Sequence, residues 1–245
     1  KDPQSMRRLW IAFTLVMFVS FLVLGWVGTR IYNELPPIPD RVVTTSGEEV
    51  IGPGDIEKGQ NVWQTLGGMQ VGSIWGHGSY LAPDWSADWL HREASALLVL
   101  QSSHSIAGAT AAQNEAMHKA ALQEEMRTNS YEPATRVITV SDTRATAIKQ
   151  VQAHFVRLYE GNDTAALALR KAYAFPVYGQ LSPEEARQVS AFYFWSAWGA
   201  TTNRPGDTIT YTSNWPHEPL VGNVPTTGTL LWSLASVILL LAAAG

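Results

Sequence analysis

The side chains best suited to hold a metal ion or a haem iron are the six histidines, His77, His91, His104, His118, His154 and His217. None stands three or four residues from another, so no helix face presents an imidazole pair, and the H-E-x-x-H spacing of a helix-borne zinc site is absent. They read as solvated or capping histidines. The carboxylate pairs Glu48-Glu49, Glu124-Glu125 and Glu184-Glu185 are consecutive. On a helix, neighbours in sequence point in different directions, so these pairs suit caps and solvated faces better than concerted acid–base work. The glycines Gly67, Gly68, Gly72, Gly76 and Gly78 crowd one segment without following a clear strand. No P-loop, G-x-G-x-x-G or serine nucleophile elbow is present. The residues amount to no complete catalytic site.

Composition narrows the classes further. The chain contains no cysteine. Disulfides are therefore excluded, and so is a covalently attached c-type haem, whose thioethers need C-x-x-C-H. The net charge of -4, with no basic run interleaved with aromatics, argues against a nucleic-acid partner.

The elements that position these residues begin with a membrane segment. From Leu9 to Thr29 the chain carries no charge, and roughly 20 such residues cross a bilayer core as a helix. A second uncharged run occupies Gly228 to Gly245 and is expected to continue into further helices. Neither run contains histidine, so neither offers an imidazole to an intramembrane haem. Lys1, Arg7 and Arg8 precede the first run, whereas Arg30 and Arg41 after it are mixed with Glu34 and Asp40. This asymmetry puts the N-terminus in the cytoplasm and the region between the runs outside. A cleaved signal peptide is the alternative for the first run, but the run is long for an h-region and no A-x-A pattern follows. The expected fold class is mainly α: a transmembrane anchor over residues 1–31, an extracytoplasmic helical domain over 32–226, and the start of a second transmembrane helix over 227–245.

Within the external domain, Glu34 to Asp55 reads as an extended linker, because Pro36, Pro37 and Pro39 fix φ and remove amide donors. Asp55 is expected to cap a helix through Ile56, Val62, Trp63 and Leu66, ended by Gly67 and Gly68. A glycine-rich loop follows to Pro83. From Ser86 the apolar positions Trp89, Leu90, Ala94, Leu97 and Leu98 recur at helical steps. A polar helix is expected over roughly Ala111 to Arg127, then a short apolar run, RVITV. Ser141 is expected to cap a helix with the stripe Ile148, Val151, Phe155 and Leu158. A helix through Leu167 and Ala172 ends near Pro176. Ser182-Pro183-Glu184-Glu185 carries the clearest start signal, an N-cap serine, proline at the first position and a capping-box glutamate.

Residues Gly59 to Glu93, GQNVWQTLGGMQVGSIWGHGSYLAPDWSADWLHRE, resemble the haem-binding core of a cytochrome c domain. Ser73-Ile74-Trp75-Gly76-His77-Gly78-Ser79-Tyr80-Leu81-Ala82-Pro83-Asp84-Trp85 follows its T-I-L-G-x-G-x-Y-x-A-P-D-L loop. Upstream, Gly68-Met69-Gln70-Val71-Gly72 stands where C-x-x-C-H belongs. With TSNWPHEPLVGNVP nearer the end, the chain resembles the bacterial nitric oxide reductase family, most closely its quinol-dependent single-chain form, along essentially its whole length.

The resemblance implies a cytochrome c-like helical domain lacking haem, fused ahead of catalytic helices that lie beyond Gly245. The whole enzyme would reduce two NO to nitrous oxide and water with electrons from membrane quinol, using haem b, haem b3, non-haem iron and structural calcium. It implies no c-type haem and no covalent cofactor in this chain. Carried over residue by residue, Gly78 would lend a carbonyl oxygen to the calcium, while Tyr80 would bring its hydroxyl to that calcium and to haem propionates. The implied partners are quinol, NO, the lipid bilayer and the remaining helices of the same protein, with a homodimer compatible. The implied location is a bacterial inner membrane, with the soluble domain on the periplasmic or outer side. A haem-less domain must also fill the porphyrin cavity, for which Met69, Trp63, Trp75, Trp85, Trp89, Phe192, Trp195 and Trp198 are candidates. Ordinary core packing explains the same aromatics. From the residues alone, a two-span sensor or ligand-binding protein with an external helical domain stays open as the alternative.

Overall fold

The computed structural model describes residues 3–76, 82–103, 108–161, 163–175 and 180–244. It forms two compact units, Lys1–Pro37 and Ile38–Gly245. The first is a single helix, α1 (Pro3–Glu34), whose apolar side chains from Leu9 to Ile31 all face outward uncovered. Its 29-residue stretch Met6–Glu34 is apolar and long enough to cross a membrane, spanning about 43 Å at about 1.5 Å per residue.

The second unit holds α2 (Asp55–Thr65), α3 (Trp85–Ser102), α4 (Ala111–Arg127), α5 (Asp142–Glu160), α6 (Thr164–Ala172), α7 (Pro183–Thr201) and α8 (Thr227–Ala244). It is mainly α, as the hydrophobic periods predict. The centre is α7, which is buried on nearly every side from Ala186 to Thr201 and packs against α2, α3 and α5. A helix apolar all round must lie inside its domain. Where α2 crosses α7 the backbones touch: a Cβ on Gly59 would stand 1.9 Å from the carbonyl oxygen of Gln188. Only glycine allows that approach. The helix α8 leaves Leu230, Leu231, Trp232, Leu234, Val237, Ile238 and Leu239 exposed, the surface a lipid environment would cover.

The start signals are locally encoded. Ser182 accepts from the Glu185 amide and Glu185 returns a bond to the Ser182 amide, closing the capping box with Pro183 at the first helical position. Ser141 accepts from the Arg144 amide at 3.1 Å. The stripe Ile148, Val151, Phe155 and Leu158 of α5 is buried as its period requires. Asp55 is a correction: the N-cap of α2 is Gly54, with left-handed φ of 76°, while Asp55 begins the helix and its Oδ2 accepts from the Gly52 amide.

The segment from Glu34 to Asp55 is also not the linker that its prolines suggest. After them the chain forms β1 (Arg41–Thr44) and β2 (Glu49–Ile51), joined by a turn with Gly47 at φ 90°. With β3 (Tyr131–Glu132) and β4 (Val137–Val140) they make a four-stranded sheet in the order β2-β1-β4-β3. β1 and β4 pair in parallel, Val42 opposite Ile138 and Thr44 opposite Val140. All four of those side chains are buried. The β-branched alternation in RVVT and VITV outweighs the upstream prolines, which lie outside the ladder.

Candidate functional site

The loop singled out by its sequence is closed at its base. The Ser73 amide donates to the Pro83 carbonyl and the Trp85 amide donates to the Ser73 carbonyl, both at 2.9 Å. Asp84, the N-cap of α3, sits in the mouth of that loop. Its Oδ1 accepts from the Ala87 amide at 2.9 Å and the Ser86 hydroxyl at 2.6 Å. Its Oδ2 accepts from the Ser73 hydroxyl at 2.8 Å and the Gly76 amide at 2.5 Å. Ser86 in turn accepts from the Trp75 amide at 2.7 Å. One carboxylate and one hydroxyl thus tie three loop groups to the start of a helix.

Trp75 has a left-handed φ of 54°, unusual for a residue with a Cβ. It is fixed from both ends, since its indole Nε1 also donates to the Ser196 carbonyl on α7 at 2.7 Å and its ring lies 5.4 Å from that of Trp195. Gly76, at φ 78°, packs so tightly on Trp215 that a Cβ would stand 2.6 Å from the indole Nε1. The loop base is therefore clamped between α3, α7 and the segment that leads to α8. Gly78 and Tyr80, the residues assigned by resemblance to calcium and propionate contacts, lie outside the described residues, as do His77 and His104.

Behind the loop, the space enclosed by α3, α5 and α7 is filled with rings. Trp85 stacks on Tyr193 at 5.0 Å and 13°, and Trp89 stacks on Phe155 at 5.5 Å and 7°. Edge contacts join Trp85 to Phe155, Tyr173 and Phe175, and Trp89 to Phe194. The hydroxyls of Tyr159 and Tyr193 bond to each other, and burial pushes both tyrosines' pKa values up, so they stay neutral. Of the expected filling residues, Trp85, Trp89, Trp198, Phe192 and Trp63 are buried, and Trp75 and Trp195 are partly so. Met69 is a correction: it is 52% exposed on a short 3-10 turn, Gly68–Gln70, and fills nothing. Sequence reasoning reaches Phe155 only as part of a stripe. It misses Tyr159, Tyr193, Phe194, Tyr173 and Phe175, although the aromatic content of α7 points toward two of them.

A charged pair also lies in this interior. Arg144 Nε donates to Glu93 Oε1 at 2.8 Å, with both side chains at most 2% exposed. Trp89 Nε1 donates to Glu93 Oε2 at 2.7 Å and Arg144 Nη1 to the Glu125 carbonyl at 3.0 Å. The signal in the sequence is a glutamate on the apolar face Leu90, Ala94, Leu97 of α3, which demands a buried partner.

The described histidines are dispersed. His91 Nδ1 lies 2.9 Å from Glu218 Oε2 and His217 Nδ1 lies 2.9 Å from the Asn223 carbonyl. His154 is half-buried, and burial together with nearby Arg92 brings its pKa down to about 4. Among the described residues no three His, Asp or Glu come together in a group able to hold a metal ion. A cytochrome-type haem does not fit this interior: the rings occupy it, and no cysteine exists to form a thioether. What the arrangement offers chemically is a fixed start at Ser73–Gly76 and a fixed end at Pro83–Trp85 for the segment between them.

Comparison with protein families matches residues 39–217 to the cytochrome c-like domain of the NorB-type nitric oxide reductases. No curated protein matches the chain. The matched stretch runs from the start of the β1 segment to the return segment beyond α7, so it takes in the clamped loop, the ring-filled interior and the sheet together.

Proposed function

Because the chain belongs to the NorB family of nitric oxide reductases, we propose that it is the N-terminal part of a quinol-fed nitric oxide reductase and serves there as an anchor and a haem-free cap. The family is one of haem-containing, membrane-associated oxidoreductases. The reaction of the whole protein takes two NO, two protons and two electrons to nitrous oxide and water, and oxidation of one quinol to quinone releases that number of electrons and protons. In this reading the ligands of the haem irons and the non-haem iron come from the catalytic helices, and no residue of this chain is assigned to ligate them.

The observation that carries this reading is the joint survival and loss within one domain. The loop base from Ser73 to Trp85 is built and clamped, while the thioether cysteines are missing and the interior is packed with rings. A domain in that condition has no covalent haem through which a soluble donor could pass electrons. Supply by quinol from within the membrane is consistent with that. The exposed apolar faces of α1 and α8 suit anchorage in the bilayer, with the domain on the outer side. In this reading Gly78 and Tyr80 meet the calcium and propionate edge of the catalytic helices.

An optical spectrum of the purified full-length protein, followed by NO consumption with a reduced quinol, tests the proposal. The expected result is b-type haem bands without a c-type band, and quinol-dependent NO loss. A colourless protein would overturn it in favour of a membrane sensor, and NO loss that requires a soluble cytochrome instead of quinol would overturn the electron donor. Replacing Tyr80 by Phe is expected to lower turnover.

A further inference from the structure

We propose that Asp84 is a positioning residue for the reductase, its two carboxylate oxygens divided between capping α3 and holding the preceding loop. The proposal rests on the reading that this loop meets the catalytic helices, and it adds which group sets the loop's geometry. The division is visible in the partners. Oδ1 takes the Ala87 amide and Ser86 hydroxyl, both within the first turn of α3. Oδ2 takes the Ser73 hydroxyl and Gly76 amide, both on the loop. A helix cap needs only one oxygen. The second oxygen is therefore free for another task, and its bonds to Ser73 and Gly76 reach back across the loop mouth.

The task is demanding because of where Gly76 stands. It follows Trp75 in its left-handed conformation and precedes the residues that carry Gly78 and Tyr80 in sequence. It is also pressed against Trp215. Two bonds hold this strained turn against α3, one from the Trp75 amide to Ser86 and one from the Gly76 amide to Asp84. A charged acceptor makes such bonds short and strong. Displacement of about 1 Å in a positioned group can lower a rate about a hundredfold, so the direction in which the loop leaves Gly76 is a functional quantity.

Asparagine separates the two roles. It caps helices as well as aspartate does, but its amide group carries only one acceptor oxygen. With that oxygen on the Ala87 amide, its NH2 group faces the Gly76 N–H, donor against donor. In the full-length enzyme, Asp84→Asn is expected to fold and to lower the melting temperature about as far as Ser182→Ala does. The Trp75 and Gly76 amides should exchange hydrogen about tenfold faster or more, following loss of a charge-assisted bond, with a fall in turnover of about tenfold or more. Ser182→Ala removes a cap of similar worth from α7, away from the loop, and should lower the melting temperature while leaving turnover unchanged. Parental exchange and turnover in Asp84→Asn would overturn the proposal, as would an equal loss of turnover in Ser182→Ala. If Tyr80→Phe leaves turnover intact while Asp84→Asn lowers it, the assignment of Tyr80 fails and the clasp stands. If Tyr80→Phe lowers turnover and Asp84→Asn does not, the clasp fails and the cap reading stands.

Discussion

The interior between α3, α5 and α7 and the return segment from Asn203 to Asn223 are both tightly held, yet by opposite means. The interior relies mainly on volume: stacked and edge-on rings fill it, and the ion pair of Arg144 with Glu93 lies among them. The return segment has almost no regular structure and relies on direction. Arg127, at the end of α4, donates to the side chains of Asn203, Asn214 and Asn223 and to the Thr208 carbonyl, at 2.9 to 3.2 Å. Asn223, fully buried, passes the network on to the Ala200 and Pro216 carbonyls. The difference shows how a domain can change its interior and keep its surface. Apolar packing tolerates exchange of one filling for another of equal volume. A segment without a ladder of its own depends on named donors, and each one lost leaves a carbonyl or amide unpaired.

The strongest way to break this comparison lies in the interior's buried ion pair. Arg144→Met should cost about 3–5 kcal/mol, because Glu93 is left buried without its cation. Replacing Glu93 by Leu in the same chain should recover part of that, since the unpaired buried charge is gone while the Trp89 indole loses its acceptor. Urea unfolding of both variants reads the difference. A double variant as unstable as the single one would show that the interior is specified by direction after all.

Arg127→Ala should have a smaller and more local effect, about 1.5–3 kcal/mol as expected for hydrogen bonds from a charged group, reduced because the side chain is only half-buried. Burial lowers its pKa. Hydrogen exchange should quicken at the amides of Asn203, Arg204, Thr210 and Asn223 while α5 and α7 stay protected. Uniform loss of protection would erase the proposed contrast between the regions.

The smallest effect sharpens the boundary of the interior. His154 lines the outer face of α5 beside Arg92, Asp88 and Arg157, and its folded pKa of about 4 lies below the ordinary 6.5. The unfolded chain therefore binds that proton first as pH falls. The associated stability is present in full above about pH 6.5 and is lost progressively toward about pH 4. Urea midpoints measured across this window should fall less steeply in His154→Gln. An unchanged slope would assign the pH dependence to other groups.

Much of the helical layout is legible in the sequence because the signals are local. Ser141 and Ser182 cap where their types and spacing predict, and the stripe on α5 follows from spacing within a single element. The sheet is not legible, because Val42 meets Ile138 only in the fold and neither short run is decisive alone. Glu93 and Arg144 pair across two helices, beyond reach for the same reason. At the loop, the string of residue types is legible and the work of Asp84 is not: a capping aspartate and a clasping one look alike in sequence. Met69 misleads because standing where a haem motif belongs says nothing of which way a turn faces.

The contact between Gly59 and Gln188 bears on how the protein is made. α2 needs α7 as its floor, and β1 needs β4 as its neighbour, so the earliest parts of the domain are completed by the latest. Such non-local pairing is slow to form. As the chain emerges it must wait, with Trp63, Trp85 and Trp89 uncovered, until α7 has followed. The unfinished domain thus exposes its largest rings until its central helix is available to cover them.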